Sequence, residues 1–498
     1  MGSNPSKIAF EICVVTGDYQ GDPLGPGVVL IMFDDKGNQS PLINLEHLFQ
    51  NENDFTQARF TIDLQEWSRP RTFAKLHHIE FWRTNAPVTD LDWYLDRVII
   101  RDRRSGLTGE WEYFFFPVHD WIHPDGQYVI HNAETWLPKY APYPQVRNAE
   151  IAHRMETFNF FQRAKGLPVE LESVPPTEIF SYDQKWELEP TIQDLIRRAK
   201  LTTEYTSLSP WDSMETLGGI YKKYNITQPT GVQLWMMNDI CFGAQRIRGC
   251  NPFVIQRCIE LPDCFLSVAE TLKPYLEGWS LRTLMQARRL YMVDFRIMKG
   301  LSCADNRFMC APIALFVYTE KRQLIPLAMK MNSSDDPDEP VILARVGCNL
   351  WLQAKLWFNM VDACNHMIAQ RLLNHLVLES IYASMRRNMA QSNPIYQLLA
   401  PHFRSFLIVN RKFKAWVFED GWISRCCQLS LKGIRVLLKR AFKYWTFDVN
   451  ANFYRELQSR GVYDATNGLA NYPYREDATL VYTAFERFCT AYLRLFYR

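Results

Sequence analysis

Residues 351–379, WLQAKLWFNMVDACNHMIAQRLLNHLVLE, constrain the fold more than any other stretch of the chain. They contain no Gly or Pro, and their apolar side chains lie almost all round a helical wheel. A helix that is apolar on every side is a buried helix, so this one is expected to run through the centre of a large helical domain. Its charges are sparse (Lys355, Asp362, Arg371 and Glu379), and His366 and His375 fall near its middle. Ionisable groups there are costly unless something satisfies them. A metal site is one reason for them and buried pairing is the ordinary one. On the ordinary account Asp362 bonds His366 one turn on, His375 and Glu379 orient one another at i,i+4, and Arg371 pairs with a carboxylate of a neighbouring helix.

Helix geometry restricts the metal account. At roughly 100° per residue, positions nine apart face opposite sides, so His366 and His375 are not expected to converge. A π-bulge accommodates a five-residue spacing rather than a nine-residue one. Arginine keeps its proton and has no lone pair to give, which excludes Arg371 as a ligand. Cys364, two residues before His366, points roughly 160° away from it and reads as a core thiol.

The rest of the chain sets broad bounds. A chain of 498 residues accommodates two or more domains. A formal net charge of +2 gives no bulk electrostatic case for nucleic acid. No apolar run reaches the ~18 residues that span a bilayer, and the start, MGSNPSK, lacks the apolar core of a secretory signal. That start does fit the Met-Gly-x-x-x-Ser/Thr acylation pattern through Gly2 and Ser6. Twelve scattered cysteines with no CxxC read as reduced thiols of a cytoplasmic protein. No P-loop, GxSxG or HExxH offers a rival chemistry.

Along the chain, residues 1–117 read as an all-β sandwich, with short β-branched and aromatic runs at 8–15, 28–33, 60–64, 78–82, 93–101 and 111–117. His77 and His78 adjoin in this region, where alternation is expected to send one of the pair outward. Residues 118–167 are proline-rich and read as a linker packed on both neighbours. Residues 168–498 carry helical periodicity at 191–199, 265–278, 354–388, 430–444 and 478–497. Pro274 is expected to kink or end the second of these. A small sheet is expected from 290–299, 313–318 and 324–331. The fold class is thus multidomain, a β-sandwich followed by a mainly α-helical domain with a small sheet.

Several blocks in order resemble the animal lipoxygenases over essentially the whole length. TGDYQG and DWYLDRVIIRD are similar to a PLAT domain. DICFGAQRIRGCNPFVIQRCIELP (239–262), YMVDFRIMKG (291–300), APIALF (311–316), NPIYQLLAPH (393–402) and QSRGVYD (458–464) are similar to segments of the catalytic domain. The central run resembles the family's iron helix. The resemblance implies iron-dependent dioxygenation of polyunsaturated fatty acids. It also implies two helix histidines five apart as iron ligands, a third His and usually an Asn from a later helix, and a C-terminal carboxylate. His366 matches the first helix ligand, and Arg371 stands where the second belongs. His375 matches a following His that is not itself a ligand.

After His402 no histidine occurs up to Arg498, so the later ligands have no counterpart and the helical domain is expected to be truncated. Phe413 stands near a position the family keeps small, partly filling the substrate pocket. Resemblance to PLAT domains further implies membrane contact, with Trp67 as the exposed aromatic, and calcium, with Asp18, Asp22, Asp90 and Asp92 as candidate ligands. Turn chemistry is the competing reason for those carboxylates. The expectation is a peripherally membrane-associated family member whose iron chemistry is impaired. The alternative is a non-catalytic lipid- or membrane-binding pseudoenzyme or truncated isoform.

Overall fold

The structure, a computed structural model, describes residues 8–16, 28–44, 57–63, 75–83, 93–102, 111–122, 127–132, most of 134–179, a few short stretches between 189 and 237, and 238–497 apart from 333–338, 345–348, 420–426 and 467. Gly2, Asp18, Asp22, Trp67, Asp90 and Asp92 lie outside the described residues, and of 191–199 residues 191–194 and 197 are described.

Eight strands are described in the N-terminal part: β1 (Ile8–Thr16), β2 (Val28–Asp34), β3 (Ile43–Asn44), β4 (Gln57–Asp63), β5 (Leu76–Arg83), β6 (Trp93–Asp102), β7 (Glu112–Ile122) and β8 (Gln127–His131). They pair antiparallel in two sheets of order β4-β1-β6-β7 and β3-β2-β5-β8. Period-two alternation explains the layering. Leu30, Met32, Ile79 and Phe81 of one sheet meet Ile12, Val98, Ile100, Phe114 and Phe116 of the other in a single apolar core. The sandwich runs past residue 117, because β8 completes its second sheet.

The following segment is ordered against the helical domain. In α1 (Pro144–Thr157) the Arg147 guanidinium donates to the Asn388 carbonyl at 2.7 Å. Just before α1, Glu134 accepts from Ser392 Oγ at 2.9 Å.

Further on, β9 (Phe160–Phe161) and β10 (Glu170–Leu171) form a small ladder. A five-stranded antiparallel sheet follows, from β11 (Gln256–Arg257), β12 (Leu290–Asp294), β13 (Ile313–Tyr318), β14 (Leu324–Lys330) and β15 (Ile342–Leu343). Its central strands are buried on both faces. Tyr291, Val293, Ala314 and Phe316 face the core around the central helix, and Leu290, Met292, Leu315 and Val317 face a second core. In α2 (Asp239–Arg248) Gly243 lets the helix lie against β14, since a methyl there would sit 1.8 Å from the Leu324 carbonyl oxygen. The 265–278 region breaks into short turns, with Pro274 inside the 3-10 turn Lys273–Tyr275.

The central helix is one continuous rod of three parts: α3 (Asn349–Asn365), a π-helical segment (His366–Leu372) and α4 (Leu373–Asn388). Phe358, Val361, Ile368, Leu372 and Leu376 are fully enclosed, each stabilising the domain by about 2 kcal/mol through removal of apolar surface from water. Three further helices follow it, α5 (Phe406–Phe418), α6 (Leu431–Tyr444) and α7 (Pro473–Leu493). Contrary to the expectation from its all-round apolar wheel, the central helix is not enclosed on every side. Arg371, Asn374, Leu378 and Ile381 form an exposed strip.

Candidate functional site in the central helix

Above the π segment, a polar ladder ties α3 to α2. Trp351 Nε1 and Lys355 Nζ both donate to Asp239 Oδ1 at 2.9 Å. One turn further on, Arg246 donates to Asn359 Oδ1 at 2.7 Å and forms an ion pair with Asp362, while Asn251 Nδ2 donates to Asp362 Oδ1 at 2.6 Å. The Arg246 guanidinium lies over the rings of Phe242 and Phe358, a contact that suits a desolvated cation. Asp362 is therefore held by Arg246 and Asn251 and not by His366, contrary to the i,i+4 expectation.

Below the π segment a second network is built on Glu379. Its Oε1 accepts from Leu171 N at 2.8 Å and from Lys414 Nζ at 2.7 Å, and Asn410 Nδ2 bonds its other oxygen. Lys414 also reaches Glu170 at 2.9 Å, and Glu170 pairs with Arg163 at 3.0 Å. The expected His375–Glu379 pair is thus replaced by cross-helix partners. Lys414, Asn410 and Glu170 carried no sequence signal, because each lies more than thirty residues away from Glu379 in the chain.

Between the two networks stand His366, Arg371 and His375. The π segment changes their relation. Leu373 N–H donates to the Ile368 carbonyl, an i→i+5 bond, and such bonding brings the residue five positions on over the first. Arg371 therefore follows His366 on one stripe, and His375 follows Arg371 one α-turn later. The opposite-face expectation for the two histidines held only for an uninterrupted α-helix.

His366 and His375 are half-buried, and the Nδ1 atom of each is buried without a hydrogen-bond partner among the described residues. The His375 ring stacks on Phe406 at 5.9 Å and tilts against Phe413 at 5.3 Å, so Phe413 fills space beside the imidazole. Burial lowers the proton affinity of both histidines, and the Arg371 charge lowers it further. Asp362 opposes this at His366 and Asn410 at His375. Arg371 itself is exposed and makes no ion pair among the described residues, so the expected carboxylate partner is not there. Beside the segment lies a cleft of ≈ 510 Å³ lined by Asn365, Ala369, Gln370, Leu373, Trp445 and Phe453.

A β-sandwich followed by a helical body with a small sheet and a π-interrupted central helix defines a PLAT domain joined to a lipoxygenase-type domain. The lipoxygenase family pattern matches residues 182–498 and the PLAT/LH2 pattern residues 10–137. The chain belongs to the lipoxygenase family. It is 28% identical over 294 residues to the arachidonate 12-lipoxygenase, 12R-type, of Rattus norvegicus, covering 58% of this chain and 41% of that protein. To the polyunsaturated fatty acid lipoxygenase ALOX15B of the same species it is 23% identical, covering 98% and 73%. Among solved structures, a coral 8R-lipoxygenase described as calcium-activated through a C2-like domain superposes with a TM-score of 0.83 at 23% identity, over 98% of this chain and 72% of that one. The chain thus spans about two fifths of the 12R-type relative and about three quarters of the ALOX15B relative.

Family membership implies a resident iron, and the side chains here do not fit one. Two imidazoles share their stripe with a guanidinium that has no lone pair and repels a cation. Among the described residues, no three His, Cys, Asp or Glu donors converge at the π segment. Asp362 and Glu379, the nearest carboxylates on the helix, are already occupied by Arg246 and Lys414. Catalytic iron of this type needs several N/O donors with open positions.

Proposed function

We propose that this chain is a lipid-binding member of the lipoxygenase family in which iron-dependent dioxygenation of polyunsaturated fatty acids is impaired. The observation that carries the reading is Arg371: a permanent cation stands on the histidine stripe and depresses the proton affinity of both imidazoles. A group that repels a proton from His366 and His375 repels a metal ion from the same nitrogens. Purified protein should contain well under stoichiometric iron and form no conjugated diene from arachidonate or linoleate. Arg371→His should increase retained iron. Stoichiometric iron with hydroperoxide formation by the unaltered chain would overturn the reading.

A second reading, the non-catalytic lipid-binding pseudoenzyme, is favoured by the exposure of the same guanidinium. Arg371 shares an exposed strip of the helix with the apolar residues Leu378 and Ile381, about two and three turns further on, an arrangement suited to a fatty-acid carboxylate with its chain along the helix. Arg371→Ala should weaken fatty-acid binding, and unchanged binding would remove this role.

Peripheral membrane association through the sandwich belongs to the same proposal. It is supported by the PLAT/LH2 match and by the calcium activation described for the coral relative. Trp67 would insert, with Asp18, Asp22, Asp90 and Asp92 as calcium ligands. Calcium-promoted liposome binding should weaken in Trp67→Ala.

A further inference from the structure

The sandwich contains a histidine cluster that the family's chemistry does not use. Strand alternation alone would separate His77 from His78, yet the structure brings both rings to His131. The cause is a bulge. Phe33 of β2 pairs with His78 of β5, whereas the next residue, Asp34, pairs with Leu76, so His77 is the extra residue on β5. A bulge sets two residues against one and re-aims a side chain. The Asn132 amide then donates to the His77 carbonyl at 3.1 Å, and His78 lies directly opposite His131 on β8.

The result is three half-buried imidazoles around one point. His77 Nδ1 and His78 Nδ1 are 3.1 Å apart. Ring centroids are 5.3 Å apart for His77–His78, 5.1 Å for His77–His131 and 5.0 Å for His78–His131. One ligating nitrogen from each lies within 4.8 Å of the others. Phe33 stacks on His78 at 4.5 Å with rings nearly parallel, fixing that ring from the other side.

We propose that His77, His78 and His131 form a binding site for a divalent transition-metal ion of the zinc class, which staples β5 and its bulge to β8. Two nitrogens bound to one tetrahedral ion at zinc–histidine distances stand roughly 3.3–3.4 Å apart, close to the His77–His78 separation. The third ligating nitrogen, from His131, lies within 4.8 Å of one on each of the other two rings. Three neutral imidazoles suit zinc, nickel or copper, whereas calcium takes oxygen ligands. The fourth position is left to water. Asp34 and Asp35 are the carboxylates whose charge reaches His77. Asp34 is committed to its own turn, accepting from Lys36 N at 3.0 Å and Asn38 N at 2.7 Å, so the donors at the site are nitrogens.

The test uses the full chain without an affinity tag, stripped by chelator and titrated with Zn2+ and, as a spectroscopic probe, Co2+. The expected result is one tightly held ion per chain, with the intense visible bands of tetrahedral Co2+. His78→Gln and His131→Gln should each weaken binding at least about tenfold, whereas His366→Gln should leave it unchanged. Circular dichroism identifies folded variants, and the Co2+ spectrum of the unaltered chain reports on the site without any substitution. Absence of micromolar binding, weak octahedral bands only, undiminished affinity in a folded His131→Gln protein, or loss of the ion in His366→Gln would each overturn the proposal.

Discussion

Arg371 follows His366 by one π-helical turn on the same stripe of the central helix, and its guanidinium reaches both His366 and His375 electrostatically. The π segment thereby sets on one stripe three groups that a regular helix would not align. Burial is the larger cause of the lowered proton affinity and Arg371 the next. Arg371→Gln should therefore raise the pKa of both histidines towards the ordinary value without abolishing the effect of burial. Histidine NMR titration reads this directly. Unshifted His366 and His375 resonances would remove the electrostatic link.

Lys414 is the cation between two enclosed carboxylates, Glu379 and Glu170. Lys414→Met should destabilise the helical domain by about 3–5 kcal/mol, because it leaves buried negative charge without its partner. Pairing it with Glu379→Leu should recover part of that loss. Denaturant unfolding of the single and double variants measures the coupling.

Gly243 permits backbone contact between α2 and β14. The obstacle to a methyl group is the Leu324 carbonyl oxygen rather than a flexible side chain, so Gly243→Ala must move the helix. A loss of about 2 kcal/mol or more is expected, read as a lowered unfolding midpoint, with α2 and its Arg246–Asp362 pair the first to lose hydrogen-exchange protection.

Acid should weaken the sandwich in chelator-treated protein. Burial and the neighbouring His131 and His77 hold His78 at about 3, against an ordinary value of 6.5. The unfolded chain therefore binds a proton near pH 6.5 that the folded chain refuses until about pH 3, and stability falls as pH drops through that window. His78 favours folding fully above it. Unfolding midpoints at about pH 7.5 and about pH 5 should differ more for the unaltered protein than for His78→Gln.

The sandwich strands, the small sheet and the long central helix were all legible in the residue pattern, because each buries a face whose period is set by backbone geometry. Family blocks such as DICFGAQRIRG were legible too, and Gly243 and Arg246 within them acquire their reasons only from β14 and Asp362. What misled was locality. Asp362–His366 and His375–Glu379 look like partners at i,i+4, yet Arg246, Asn251, Lys414 and Asn410 take the carboxylates. A charged cross-helix partner in a dry core makes a stronger bond to a carboxylate than a neutral imidazole one turn away.

By itself, then, the sequence determined the two-part architecture, the family, and the arginine where a ligand was due, since these rest on periodicity, order and residue chemistry. Tertiary structure decided which faces meet. A π segment aligned His366, Arg371 and His375, and a one-residue bulge gathered His77, His78 and His131. Both are single-residue shifts in backbone register, set by packing against distant strands and helices rather than by the residues they rearrange.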